Sequence, residues 1–232
     1  MGIILLASCQ KEVQPSPVVE KKTIAAACIP LTANPNGRSY NEDSVVSYDY
    51  SGKYCGMLPV NEQNYWIYLD SVYDYGNFVR TQYDTLRLTD AYRSLSDSIT
   101  WLKCNISIGL PDMFYVNDSS FFKLEERLFT PGIVDAKKDY SLFQGDSIRY
   151  LSSFEDAAAQ ARSVRLTDAV SSPAGNFSDC IYFEKNARNY RLDQVYFRPG
   201  IGVIRYVQQK AKMGTREVKL MQVSTLVKFH FE

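Results

Sequence analysis

One histidine, His230, stands among the 232 residues of this chain. A catalytic triad or a histidine-based metal centre needs that ring beside a nucleophile or beside further ligands. His230 instead falls in an alternating run, Val227-Lys228-Phe229-His230-Phe231, on the polar side of a strand. No H-E-x-x-H, G-x-S-x-G, phosphate-loop or C-x-x-C spacing occurs. Net charge is missing as a signal too. The 26 basic and 26 acidic residues cancel, so the composition as a whole implies no nucleic-acid partner. No apolar run approaches the ~20 residues of a membrane-spanning helix. A glycosidase needs only two carboxylates, and Asp70, Asp74, Asp84, Glu125 and Glu126 could supply them, but carboxylates are too common to carry that reading. The expectation is a non-enzymatic protein with no cofactor and no metal.

What the chain does have is the material of a sheet. Hydrophobic residues make up 45 % of it, and Tyr 17 and Phe 12 are high counts of the aromatics that strands favour. Tyr65 to Leu88 reads as a hairpin turning at Asp74-Tyr75-Gly76-Asn77. Leu102, Cys104, Ile106 and Ile108 alternate with polar residues, which points Cys104 inward. Met113–Val116 and Phe121–Leu124 flank Asn117-Asp118 as a second hairpin. Strands are expected again at Asp179–Glu184, Gln194–Phe197 and Gly202–Gln208, and Arg216–Gln222 with Ser224–Phe231 reads as a closing hairpin. One helix is expected. Phe154, Ala157, Ala158, Ala161 and Val164 fall on a single helical face, with Ser152 or Ser153 as its cap. The expected fold is therefore mainly β with one main helix: a curved antiparallel sheet or half-barrel packed against a helix near 154–164. From Cys180 onward basic residues outnumber acidic ones by six. Such a face could meet phosphorylated headgroups or acidic glycans, or simply pair with acids elsewhere in the fold.

The first residues resemble a bacterial lipoprotein signal. Gly2-Ile3-Ile4-Leu5-Leu6 is a short apolar run, and Leu6-Ala7-Ser8-Cys9 looks like a lipobox, in which the chain is cut before the cysteine and the thiol is acylated. The resemblance implies a signal peptide over 1–8, with Met1 inside a longer natural signal, a lipidated Cys9, and a flexible tether over 9–27 containing Pro15 and Pro17. A single β-rich domain then spans 28–232. Two or more acyl chains hold a protein stably on a membrane, and Gln10-Lys11-Glu12 after the cysteine, similar to the export signal of Bacteroidota surface lipoproteins, implies the outer membrane, periplasmic or surface-exposed. Cys28, Cys55, Cys104 and Cys180 remain, an even number that suits disulfides in an exported chain. Cys28–Cys55 with Cys104–Cys180 is the preferred pairing, and free buried thiols remain open.

Three segments are similar to Bacteroidota lipoproteins of mainly β structure. They are Asn64-Tyr65-Trp66-Ile67-Tyr68, Pro173-Ala174-Gly175-Asn176-Phe177-Ser178-Asp179-Cys180, and Tyr196-Phe197-Arg198-Pro199-Gly200-Ile201-Gly202-Val203-Ile204. This implies fold rather than activity. In the third segment Gly200 and Gly202 are expected to supply positive φ or close strand approach. Bacteroidota also O-glycosylate exported proteins at Asp-Ser or Asp-Thr followed by a small or apolar residue, and Ser44, Ser71, Thr85, Ser98 and Ser147 match that pattern, which implies glycans where these positions lie on exposed loops.

Three functions fit. The first is an envelope lipoprotein whose β-domain binds a glycan or another envelope partner, with Trp66 and Trp101 as candidate stacking rings and core packing as their alternative. The second is a lipid-handling half-barrel with a cavity beside the helix at 154–164. The third is a structural subunit of an outer-membrane complex. For the anchor common to all three, Cys9→Ala is expected to move the protein from the membrane to the soluble fraction on cell fractionation. Retention in the membrane after a high-salt wash would refute the lipid anchor.

Overall fold

The structure, a computed structural model, describes residues 29–50, 52–127, 129–142, 149–154 and 157–232. The expected signal peptide, Cys9, Cys28 and Ser147 lie outside them. Eighteen strands follow in order. The first part of the chain contributes β1 (Ile29–Pro30), β2 (Ser39–Asn41), β3 (Val45–Ser47), β4 (Tyr54–Cys55), β5 (Tyr65–Asp74) and β6 (Asn77–Ser94). Next come β7 (Thr100–Cys104), β8 (Met113–Val116), β9 (Ser120–Glu126) and β10 (Ile133–Ser141). The remainder comprises β11 (Arg149–Phe154), β12 (Ala157–Arg165), β13 (Val170–Ser172), β14 (Gly175–Phe177), β15 (Ile181–Ala187), β16 (Arg191–Arg198), β17 (Gly202–Ala211) and β18 (Val218–His230).

Fourteen of these strands form one sheet, in the order β11-β12-β15-β16-β17-β18-β5-β6-β7-β8-β9-β10-β2, with β3 also on β6. Its length is managed by folding at β6. The first part of that 18-residue strand pairs with β5, and the last part pairs with β7 and β3. A register shift between Leu88 and Asp90 marks the bend, as a bulge does by adding one unpaired residue and raising the local twist. The two half-sheets then face each other. Tyr140 of β10 stacks on Phe183 of β15, with ring centroids 4.6 Å apart, and Phe121 of β9 meets Phe197 of β16 edge to face.

Alternation sets which side chains enter this interior. Ile181, Phe183, Lys185 and Ala187 of β15 are buried, as are Arg191, Asp193, Val195 and Phe197 of β16. From the other half come Leu102, Phe114, Val116, Phe121 and Tyr140. The far side of the second half-sheet carries a smaller cluster of Trp101, Tyr115, Phe122, Val134 and Ala136, closed by Tyr40 and the segment leading to it. That segment is tied down where the Ala33 amide donates to the Tyr115 hydroxyl and the Asn117 amide donates to the Ala33 carbonyl, both at 3.0 Å.

The β5–β6 hairpin turns where the sequence places it, through Tyr75 (φ 44°) and Gly76 (φ 93°), two left-handed residues that match strand twist. Gly202 has φ +122°, and a methyl group there would come within 3.0 Å of Leu58 and 3.2 Å of the Trp66 indole nitrogen. The close approach read from the sequence is therefore present.

Two expectations are corrected. No helix stands near 154–164. Residues 157–165 are strand β12, paired with β15 from Gln160↔Asn186 to Arg165↔Ile181, and 149–154 pair back on them. The 3-10 turn Glu42–Ser44 is the helical element among the described residues. Ala157, Ala158, Ala161 and Val164 satisfy a helical spacing, but buried Ala159, Ala161 and Ser163 also satisfy a period of two against Gln160 and Arg162. Alanine has no strong strand preference of its own, and the open ladder of β15 decides between the two periods. The closing hairpin is likewise a single strand. β18 runs through Val223 without a turn and lies between β17 and β5.

Gly109, φ +81°, seats the loop after β7 against the facing half-sheet. Its carbonyl accepts the Tyr140 hydroxyl at 2.9 Å, and a methyl group would collide with Val195 and the Tyr206 ring. Gly109→Ala is expected to lower unfolding free energy by about 2–4 kcal/mol in chemical denaturation. Gly132→Ala, at φ +79° with open space around it, should cost only about 1 kcal/mol.

Candidate functional site

The bend in β6 opens a cleft of about 340 Å³. Its floor is apolar: Leu88, Ala91 and Leu102, the last two buried. One wall is the chain leaving β3. The Tyr48 amide still donates to the Ala91 carbonyl at 2.9 Å, and then Asp49 and Tyr50 diverge from the ladder. The other wall is Glu62, raised by a turn in which the Asn61 side chain accepts the Gln63 amide at 2.8 Å. Thr89 and Asp90 of the bulge complete the rim. Asp49, Glu62 and Asp90 are exposed carboxylates, while Tyr48 and Tyr50 are half-buried. The Arg93 guanidinium lies 4.9 Å from the Tyr48 ring centroid, and Tyr54 stacks on Tyr50 at 5.3 Å. Tyr50 donates to the Val60 carbonyl, and burial, helped by the nearby Tyr54 and Glu62, pushes its phenol well above the ordinary range. The Tyr50 phenol therefore stays neutral. The cleft offers hydrogen-bond acceptors, aromatic walls and an apolar floor.

A second polar constellation lies inside the fold. Lys185 of β15 meets Asp139 of β10 at 2.7 Å and lies over the Tyr140 ring, joining the half-sheets. Arg191 grips Asp193 through two bonds of 2.7 and 2.6 Å, and the Tyr206 hydroxyl donates to Asp193 at 3.2 Å. Buried charges of this kind are tolerated when paired and hydrogen-bonded. Farther along the same sheet, Asp70 of β5 is 3 % exposed. Gln222 donates to its Oδ2 at 3.0 Å, and its Oδ1 accepts no hydrogen bond. Burial raises Asp70 to about 6, with the carboxylate of Asp84 on β6 adding to the rise and Ser224 and Gln222 opposing it. Below that pH a proton on Asp70 relieves both the repulsion and the unsatisfied oxygen.

Of the carboxylates singled out in the sequence, Asp70 and Asp84 come together across β5 and β6, and the others lie apart from them. Asp74 is at the β5–β6 tip, Glu125 and Glu126 are on β9, and none of the five carboxylates lines the cleft. Trp66 and Trp101 are both 0 % exposed. Trp66 donates to the Ile201 carbonyl at 2.6 Å, and Trp101 packs edge to face on Tyr40 and Tyr115. Neither presents a face to a ligand: Trp66 is packed between the half-sheets and Trp101 beneath Tyr40 on the far side of the second. His230 is exposed and stacks on Tyr65 at 5.3 Å. Among the described residues no group of three or more His, Cys, Asp or Glu is placed to hold a metal ion.

Cys104 and Cys180 are free thiols, so the expected bridge between them is not formed. Burial pushes Cys104 up to about 12 and raises Cys180 as well, which leaves both thiols protonated and unreactive. Cys55 is in a disulfide whose partner lies outside the described residues. Of the glycosylation-like positions, Ser98 is exposed in the turn between β6 and β7, and Ser44 ends the 3-10 turn. Ser71 and Thr85 are half-buried within the paired strands β5 and β6. The cleft itself was missed. Its tyrosines and acids are ordinary in sequence, and only the bulge at Thr89 brings them together. The signal that could have found it is the polar and aromatic stretch after Ser47, where β3 ends and Tyr48 to Tyr50 leave the ladder.

No family model matches the chain, and no curated protein matches it. A crystal structure described as a "putative lipoprotein" from Parabacteroides distasonis is similar at 11 % identity. The match covers 78 % of this chain and 100 % of that one, with a TM-score of 0.37. A likeness at that level carries neither fold nor function across.

The Asp70 carboxyl has a signed consequence. Its folded pKa lies above the unfolded value of 3.8, so its contribution to stability is fully present below pH 3.8 and is lost as pH rises through about 6. Asp70→Asn is expected to stabilise the domain at pH 7 by on the order of 2 kcal/mol relative to wild type. That advantage should shrink toward pH 4, read from paired urea titrations across this range. A constant difference between the two proteins over the whole range would refute the assignment.

Proposed function

We propose that this protein is a non-enzymatic cell-envelope lipoprotein that binds a glycan in the cleft at the β6 bend. The observation that carries the reading is the combination in one 340 Å³ cleft of Tyr48 and Tyr50, exposed Asp49, Glu62 and Asp90, and an apolar floor. Sugars present hydroxyl donors around their edges and apolar C–H faces above and below. Carboxylates accept from the former and aromatic or aliphatic surface covers the latter. The site is sized for one or two rings, at the small end of the range for ligand pockets.

Attachment through Cys9 and residence in the outer membrane belong to the same proposal and rest on Leu6-Ala7-Ser8-Cys9 and the polar stretch after it. Cys28–Cys55 is the disulfide we propose for Cys55, since it would fix the start of the domain beside β4. Ser98 is the glycan acceptor best placed for modification, being exposed in a turn. The lipid-carrier reading has lost the helix on which its cavity depended, and the interior between the half-sheets is filled by Trp66, Tyr68, Phe114, Phe121, Phe183 and Phe197.

Binding is tested with a panel of neutral and amino-substituted oligosaccharides by calorimetry. A hit should lose about tenfold affinity in Asp90→Asn and more in Tyr48→Ala, at about 1.4 kcal/mol per decade. Binding that is indifferent to both substitutions would place the glycan elsewhere and overturn the assignment of the cleft.

A further inference from the structure

The excess of basic residues after Cys180 is not spread over the fold. Lys185 and Arg191 are buried in ion pairs, and Arg198 lies near Asp179. Arg188, Lys212, Arg216 and Lys219 stand exposed on two hairpin tips at one end of the first half-sheet. Arg188 is in the β15–β16 turn, and the other three lie on or beside the β17–β18 turn. The third tip, between β5 and β6, joins them and brings Arg80.

These tips are one surface. The Gly76 amide donates to the Leu220 carbonyl at 2.9 Å, and the Ala211 amide donates to the Tyr190 carbonyl at 2.8 Å. The Lys212 ammonium lies 5.9 Å from the Tyr75 ring centroid. Asp74 and Glu217 are the exposed carboxylates on these tips, and Glu217 is already engaged by Lys219 at 3.5 Å. The basic groups therefore dominate the local charge.

The same tips hold exposed apolar side chains. Met213 is 99 % exposed, Phe78 61 %, Val79 52 % and Tyr190 47 %. Apolar groups placed singly on a surface need no explanation. Four at the extremities of three joined hairpins, ringed by arginine and lysine, have the composition of a surface that enters a lipid interface. The cations meet phosphates while the apolar tips reach the acyl boundary. A soluble polyanion would use the charge and leave Met213 and Phe78 in water.

We propose that the joined tips of the β5–β6, β15–β16 and β17–β18 hairpins dock on a bilayer rich in anionic phospholipid, with Met213 and Phe78 inserting and Arg188, Lys212, Arg216 and Lys219 contacting headgroup phosphates. The surface is separate from the cleft. It lies at the far end of β5, β17 and β18 from the Gly200 turn, whose amide is held by the Met57 carbonyl at 2.8 Å.

The test uses the full chain carrying Cys9→Ala, so that no acyl chain contributes, in flotation with phosphatidylcholine vesicles with and without phosphatidylglycerol. The expected result is recovery with the anionic vesicles only, abolished by high salt. Lys212→Glu with Arg216→Glu should weaken it by at least about tenfold. Met213→Ser with Phe78→Ser should weaken it by about tenfold, while leaving unchanged any binding to dextran sulfate beads. All four side chains are on exposed tips, so the thermal transition should not move, and an unchanged melt certifies each variant as folded. Equal recovery with neutral and anionic vesicles, or none with either, overturns the proposal. Undiminished vesicle binding by the serine variant, with dextran sulfate competing, would assign the surface to a soluble polyanion and overturn it equally. Neither result bears on glycan binding in the cleft.

Discussion

Everything in this fold depends on β6 being shared. A sheet of fourteen strands has too much apolar surface to leave one face in water, and here the remedy is to fold the sheet along one 18-residue strand. The N-terminal part of β6 belongs to one wall and the C-terminal part to the other. The walls are therefore covalently aligned before any side chain meets across them. The aromatic contacts Tyr140–Phe183 and Phe121–Phe197, and the Lys185–Asp139 pair, follow from that alignment. The candidate ligand cleft follows too, because a strand that bends through a bulge parts from its neighbours, and the gap is lined by whatever residues leave the ladder there.

Polar and apolar chemistry divide this interior between them. Toward the Gly200 turn it is aromatic and dry. Toward the hairpin tips it holds the Lys185–Asp139 and Arg191–Asp193 ion pairs and the buried Asp70 beside Asp84. A buried charge that finds its partner on another strand costs little while the register holds and much when it slips. Lys185–Asp139 across the half-sheets and the Tyr206–Asp193 bond from β17 to β16 therefore guard the register of strands whose apolar residues alone would tolerate sliding by two.

Much of the β architecture was legible in the sequence because alternation is a local signal. The β5–β6 hairpin, the β8–β9 hairpin and the inward Cys104 could be read from a few residues each. The helix at 154–164 was misread for the complementary reason. Ala157, Ala158 and Ala161 are small enough to satisfy either period, and the deciding partner, β15, lies some twenty residues away in sequence. Val223 was taken for a turn because the strand containing it is longer than most, and its length is set by two flanking partners rather than by its own composition. The cleft was illegible for a third reason: Tyr48, Glu62 and Asp90 share no spacing and meet only through a bulge.

The placement of β18 carries a consequence for how the molecule comes into being. This strand is late in the chain yet lies at the centre of the first half-sheet, between β17 and β5. A chain that emerges N-terminus first thus presents β5 with one edge unfilled, and that edge stays open until residues 218–230 arrive. Contacts so distant in sequence close slowly, and an open edge is a template for the wrong strand. Completion is all or nothing: a nascent or truncated chain can form the β5–β6 hairpin and the second half-sheet, but the two ends of the first half-sheet remain separate until the last strand joins them.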